Sequence, residues 1–243
     1  MWRDISRGVA MIHSIQNEFL AVAVASKGGE LMSLVDEAGR EYLWQGDPRY
    51  WTDRAPNLFP YIGRLQNERY RFRDKEYSLP IHGFVKDKEL GIIGHTQSAL
   101  TLCLSSDEST KAQYPFDFEY TIAYALEGTA LRITYRVENA GGNSMYFGVG
   151  GHPGFNVPME DGLSFEDYRI AFDQPFQPVR LGFGESVLRD GSVCPYPLAD
   201  ALYIPLRHAL FDEDAIVLSG MAPVLRLDST KGSGRLSGIP PAM

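Results

Sequence analysis

An all-β fold is what this sequence predicts, and three observations predict it. From Phe116 the apolar side chains Phe116, Phe118, Tyr120, Ile122 and Tyr124 alternate with Asp117, Glu119, Thr121, Ala123 and Ala125. A two-residue period lays one apolar face on a core. After the turn formers Glu127-Gly128-Thr129, the residues Leu131, Ile133, Tyr135 and Val137 alternate with Arg132, Thr134, Arg136 and Glu138, which completes an antiparallel hairpin. Turn-forming residues then recur at short spacing along the rest of the chain.

Taken in order, Phe19 to Ala25 reads as a first strand, followed by Gly28-Gly29, a strand from Leu31 to Val35, a turn through Asp36 to Arg40 and a further strand from Tyr42 to Trp44. Arg3 and Arg7 before the apolar run imitate a signal peptide, but Gln16, Asn17 and Glu18 interrupt it and the run is too short to span a membrane. Tyr70 to Phe72 and Glu76 to Leu79 flank Asp74-Lys75 as another hairpin, and Leu100 to Leu104 reads as a strand. Only Leu198 to Leu210 has room for a short helix, against the objection of Pro205. No linker or fixed-period repeat divides the chain, so residues 1–243 are expected to form a single domain.

A chain with 44% hydrophobic and 22% charged residues has the balance of a folded protein, not of disorder. Its net charge of -8 argues against nucleic acid as partner, since phosphate binding needs a basic face. No stretch reads as a transmembrane segment. Cys103 and Cys194 form neither a Cys-x-x-Cys pair nor a disulfide framework, which fits a reducing, cytoplasmic compartment.

Two of the five histidines sit where strand grammar does not require them. His82 lies in Leu79-Pro80-Ile81-His82-Gly83-Phe84, a turn context, and His152 lies in Gly150-Gly151-His152-Pro153-Gly154-Phe155-Asn156, whose glycines imply an irregular backbone holding an exposed imidazole. Imidazole suits proton transfer near neutral pH. Arg64, in Pro60-Tyr61-Ile62-Gly63-Arg64-Leu65, offers a planar fork for two sugar oxygens or for a rim salt bridge. Asp212, Glu213 and Asp214 are an acidic run that reads either as a solvated turn or as carboxylates for hydroxyl groups. His13, His95 and His208 have no supporting context, and no His-x-His pair with a following Glu suggests a cupin-type metal site.

The segments Asn57 to Leu65, Leu79 to Phe84 and Gly150 to Pro158, in that order and spacing, resemble the aldose 1-epimerase (galactose mutarotase) family, in particular its lactose-operon mutarotase-like branch. Phe211 to Ile216 falls where that branch has a similar acidic turn, and the likeness runs from about Phe19 to Arg235. The resemblance implies an antiparallel β-supersandwich and an isomerase that interconverts the α and β anomers of an aldohexose or related sugar. It implies Arg64 and His82 holding the sugar, His152 as general acid, and Asp214 in a binding role, with no metal and no cofactor. It departs at the C-terminus. The family takes its base from a Glu in a Glu-Pro-Trp-like segment, whereas Ser229 to Met243 contains no Asp or Glu. The expectations that follow are a domain lacking its last strands, impaired turnover, and an exposed sheet edge open to self-association. The alternative is a non-catalytic carbohydrate-binding homologue.

Overall fold

The structure, a computed structural model, describes residues 11–184, 187–212 and 215–238. The chain divides into two compact units, Met1–Phe155 and Asn156–Met243. Both are built almost wholly of antiparallel strands, as the alternation predicts. Among the described residues no helix is long and apolar enough to cross a membrane.

In the first unit, β1 (Ile12–Gln16), β2 (Leu20–Ala25) and β3 (Leu31–Asp36) form a meander, with Gly28 and Gly29 both at positive φ between β2 and β3. β4 (Asn57–Leu58) waits for a later partner. β5 (Arg69–Phe72) and β6 (Lys75–Ser78) make a hairpin whose two-residue turn is Arg73-Asp74, so Lys75 belongs to the strand rather than the turn. β7 (Gly91–His95), β8 (Ala99–Ser105), β9 (Phe118–Glu127) and β10 (Ala130–Asn139) form one sheet in the order β10-β9-β8-β7. The hairpin predicted around Gly128 is the β9–β10 pair, in the register Tyr120↔Val137, Ile122↔Tyr135 and Tyr124↔Ile133. Phe118, Tyr120, Ile122 and Tyr124 are buried on its core side, where a one-residue slip would turn the whole row outward.

The core of this unit is aromatic. Phe59, fully buried, lies within ring contact of Phe84, Tyr114, Phe118 and Tyr120. β11 (Gly150–Gly151) closes the unit by pairing with β4, Gly150↔Leu58 and Gly151↔Asn57.

In the second unit, β15 (Tyr203–Pro205), β12 (Tyr168–Phe172), β17 (Leu225–Ser229) and β18 (Arg235–Gly238) form one sheet in that order. β14 (Arg189–Pro195), β13 (Val179–Phe183) and β16 (Leu218–Ser219) form another.

Two expectations are corrected. Tyr42 to Trp44 is not a ladder strand: its pairings are the isolated bridges Val35↔Glu41 and Leu43↔Phe155, and Glu41 turns its carboxylate onto the N–H groups of Leu34 and Leu43. Leu198 to Leu210 is not a helix. Asp200 and Ala201 both take positive φ, and Tyr203–Pro205 pairs with β12, leaving only a 3-10 turn at His208–Phe211. The α-helix among the described residues is instead the single turn α1 (Glu108–Lys111), capped by the Asp107 side chain on Thr110 N–H.

Candidate functional site

The site grows from two backbone devices. The first is the turn that carries His82. Gly83 N–H bonds Pro80 O at 2.9 Å, and His82, third in that turn, takes φ +67, a left-handed conformation that costs a non-glycine residue about 1 kcal/mol. Gly83 follows at φ +75. A Cβ there would lie 2.5 Å from the Phe59 carbonyl carbon and 2.7 Å from Pro60 N, so only glycine lets the turn sit against that strand. Phe59 O accepts from both Phe84 N and Val85 N, which fixes the turn to the aromatic core.

The same turn is tied to the arginine motif. His82 N–H donates to Gly63 O at 2.9 Å, and Gly63 N–H donates to His82 Nδ1 at 3.1 Å. A nitrogen that accepts carries no proton, so neutral His82 keeps its proton on Nε2 and presents a donor there. Half-burial, reinforced by the charges of His152, Lys86 and Arg64, lowers the His82 pKa from its ordinary value of 6.5. His82 is therefore a neutral hydrogen-bond donor at neutral pH. Arg64 follows Gly63 directly, is exposed, and has no ion pair among the described residues.

The second device is the β4–β11 pair. Gly150 and Gly151, expected from the glycine-rich sequence to be irregular backbone, form this short strand, and nothing larger than glycine fits there. A Cβ on Gly151 would lie 2.8 Å from the Tyr135 hydroxyl oxygen, and one on Gly150 3.2 Å from Ile62 Cδ1. Asn57, 2% exposed, anchors the pair from beneath. It donates to Gly28 O at 3.0 Å and to Gly29 O at 2.9 Å, and accepts from Tyr135 Oη at 2.7 Å. His152 N–H bonds Pro56 O at 3.0 Å, which continues the ladder by one step and delivers an exposed imidazole.

The two devices bring His82 and His152 together, with ring centroids 5.5 Å apart. Arg64 is next in sequence to Gly63, whose backbone exchanges two hydrogen bonds with His82, and its charge acts on the His82 ring. Asp214 lies outside the described residues. His13 and His95 pair with each other, 6.0 Å between centroids, so neither joins the site, and His208, in the second unit, stacks on Phe165. Two clefts of the first unit, one along β5–β6 and one bounded by Met32, Pro56 and Lys86, are not lined by either site histidine.

Sequence reasoning missed Trp51, whose ring meets His152 at 5.2 Å, and the Asn57–Tyr135 support. Trp44 and Trp51, two of only three tryptophans in the chain, stand close together in sequence; that clustering was the available signal.

An all-β, antiparallel protein with an arginine and two imidazoles grouped on strand-borne turns is the class this geometry defines, and comparison with known proteins gives it a family. The aldose 1-epimerase family model matches residues 11–179. Protein LacX (chromosomal) of Lactococcus lactis subsp. lactis is 33% identical over 215 residues, covering 86% of this chain and 72% of LacX. The structure of a galactose mutarotase related enzyme from Lactobacillus acidophilus superposes with a TM-score of 0.89 at 31% identity, over 93% of this chain and 76% of that one. A galactose mutarotase-like protein from Lactobacillus casei ATCC 334 gives 0.85 at 32% identity, over 93% and 78%. The chain belongs to the aldose 1-epimerase family, and its fold is the β-sandwich of its mutarotase-like neighbours.

Proposed function

We propose that this protein is a mutarotase that interconverts the α and β anomers of an aldohexose or a related sugar, with His152 as general acid and with His82 and Arg64 as binding groups. The observation that carries the reading is the asymmetry of the imidazole pair. His82 has one nitrogen committed to Gly63 and a lowered pKa, whereas His152 is exposed with both ring nitrogens unbonded among the described residues. One imidazole is held neutral as a hydrogen-bond donor; the other leaves both ring nitrogens open to a sugar.

Opening a hemiacetal needs only proton movement. Water takes the proton of the anomeric hydroxyl, and the electron pair left on that oxygen forms the C1 carbonyl. The bond from C1 to the ring oxygen breaks, and the ring oxygen takes the proton of the His152 imidazolium. Rotation about the bond to C1 presents the other carbonyl face, and the same steps run backwards. His82 Nε2–H and the Arg64 guanidinium hold sugar oxygens in place meanwhile. A positioned general acid contributes on the order of a hundred- to ten-thousandfold.

The test is polarimetry of freshly dissolved α-glucose and α-galactose, paired with a sugar titration of the imidazole proton signals. Acceleration of anomer exchange together with sugar-dependent shifts is the expected result. Shifts without acceleration would establish the non-catalytic sugar-binding homologue, and neither would remove the sugar site altogether.

A further inference from the structure

His152 is aimed by packing rather than by hydrogen bonds. Its nitrogens have no hydrogen-bond partner among the described residues, and the second side-chain torsion of histidine is broad, so packing against its ring sets its direction. Two rings supply that packing. His82 approaches at 5.5 Å between centroids and 47°, and Trp51 approaches from its own loop at 5.2 Å and 67°.

We propose that Trp51 is the positioning residue that holds the His152 imidazole in its proton-donating orientation, an inference that rests on the reading of His152 as the acid. The indole has the mass and rigidity for this, and the backbone that carries it is held at both its N–H and its carbonyl. Trp51 N–H bonds Asp47 O at 2.9 Å, and Trp44 Nε1–H donates to Trp51 O at 2.8 Å. Trp44 N–H in turn bonds Gly154 O at 2.9 Å, and Gly154 N–H bonds Arg54 O at 2.8 Å. Glu30 Oε1 accepts from the N–H groups of Arg54 and Ala55, which fastens the loop to the end of the β2–β3 turn. The loop carrying Trp51 and the segment carrying His152 are thus one hydrogen-bonded piece, so the indole and the imidazole move together or not at all.

Gly154 shows how closely that piece is fitted. A Cβ there would lie 2.9 Å from Trp44 Cβ and 2.9 Å from Trp51 Cζ3. Glycine at this position lets the indole reach the imidazole two residues earlier. A side chain would push the indole off it.

The experiment compares Trp51→Ala, Trp51→Phe and Gly154→Ala with wild type, reading the His152 ring-proton shift by NMR and kcat and KM for anomer exchange. The indole ring current should leave the His152 signal in Trp51→Ala, and kcat should fall about tenfold or more with KM changed far less, since small misplacements of a catalytic group cost up to about a hundredfold. Trp51→Phe should restore most of kcat, because it keeps a ring against the imidazole. Gly154→Ala should reproduce the shift change and the loss of kcat without touching either ring chemically. A Trp51→Ala protein with native chemical shifts elsewhere and an unmoved His152 signal would overturn the placement, and a moved signal with wild-type kcat would overturn its catalytic consequence. Absence of acceleration by the wild type strikes the mutarotase reading alone; the shift measurement then still decides whether Trp51 aims His152.

Discussion

Gly83→Ala is the substitution whose cost follows most directly from the geometry. The residue stands at φ +75, so any side chain there meets the left-handed penalty of about 1 kcal/mol. Its Cβ would fall 2.5 Å from the Phe59 carbonyl carbon and 2.7 Å from Pro60 N. These are backbone atoms and cannot swing aside. Phe59 cannot retreat either, being fully buried with its carbonyl accepting from Phe84 N and Val85 N. Relief requires the turn to back away and loosen those two hydrogen bonds, worth about 1 kcal/mol each. The sum is about 3 kcal/mol, to be read from urea denaturation as a lowered midpoint at unchanged slope. Gly128→Ala is the control, since Gly128 has φ +59 and nothing within 4 Å of its Cβ; only the conformational cost of about 1 kcal/mol applies there. Equal losses in the two variants would refute the close-approach argument.

The remaining predictions are briefer. His82→Asn should keep or raise stability, because Asn tolerates positive φ better than most residues, while sugar affinity falls; a large drop in the unfolding midpoint would contradict the strain assigned to this turn. Because burial and neighbouring charge lower the folded pKa of His82 below its ordinary 6.5, the unfolded chain binds the proton more readily. Its contribution to stability is therefore complete above pH 6.5 and is lost as pH falls through the folded value; wild type should lose stability against His82→Asn in that acid window, and parallel pH curves would count against it. Tyr135→Phe removes the donor to Asn57 Oδ1 beneath Gly151 and should cost about 1–2 kcal/mol in the same denaturation assay, whereas a neutral result would mean that bond is dispensable.

How far the sequence could be read depended on whether the signal was local. Alternation along β9 and β10 is a property of consecutive residues, and it predicted that hairpin and its buried face. The histidine and arginine motifs carried their own turn chemistry, Pro80 and Gly83 around one and the glycines around the other. What stayed hidden is long-range. That Gly151 needs to be glycine because of Tyr135, or that Trp51 returns to His152, depends on contacts across 16 and 101 positions (151 − 135; 152 − 51), which no window of sequence contains. The false helix over Leu198 to Leu210 fell for a related reason: strand pairing with β12 overrode weak local preference.

The division of labour between the two imidazoles is the central claim, and one NMR measurement tests it most directly. Two-dimensional exchange spectroscopy on an equilibrated glucose or galactose sample gives the anomer exchange rate for wild type, His152→Ala and His82→Ala at several sugar concentrations. The account predicts that His152→Ala lowers the saturated rate by about a hundredfold or more, the contribution of a positioned acid. It predicts that His82→Ala chiefly raises the sugar concentration needed for half-saturation. A His152→Ala protein that exchanges anomers at the wild-type rate, or a His82→Ala protein that alone loses the saturated rate, would contradict it.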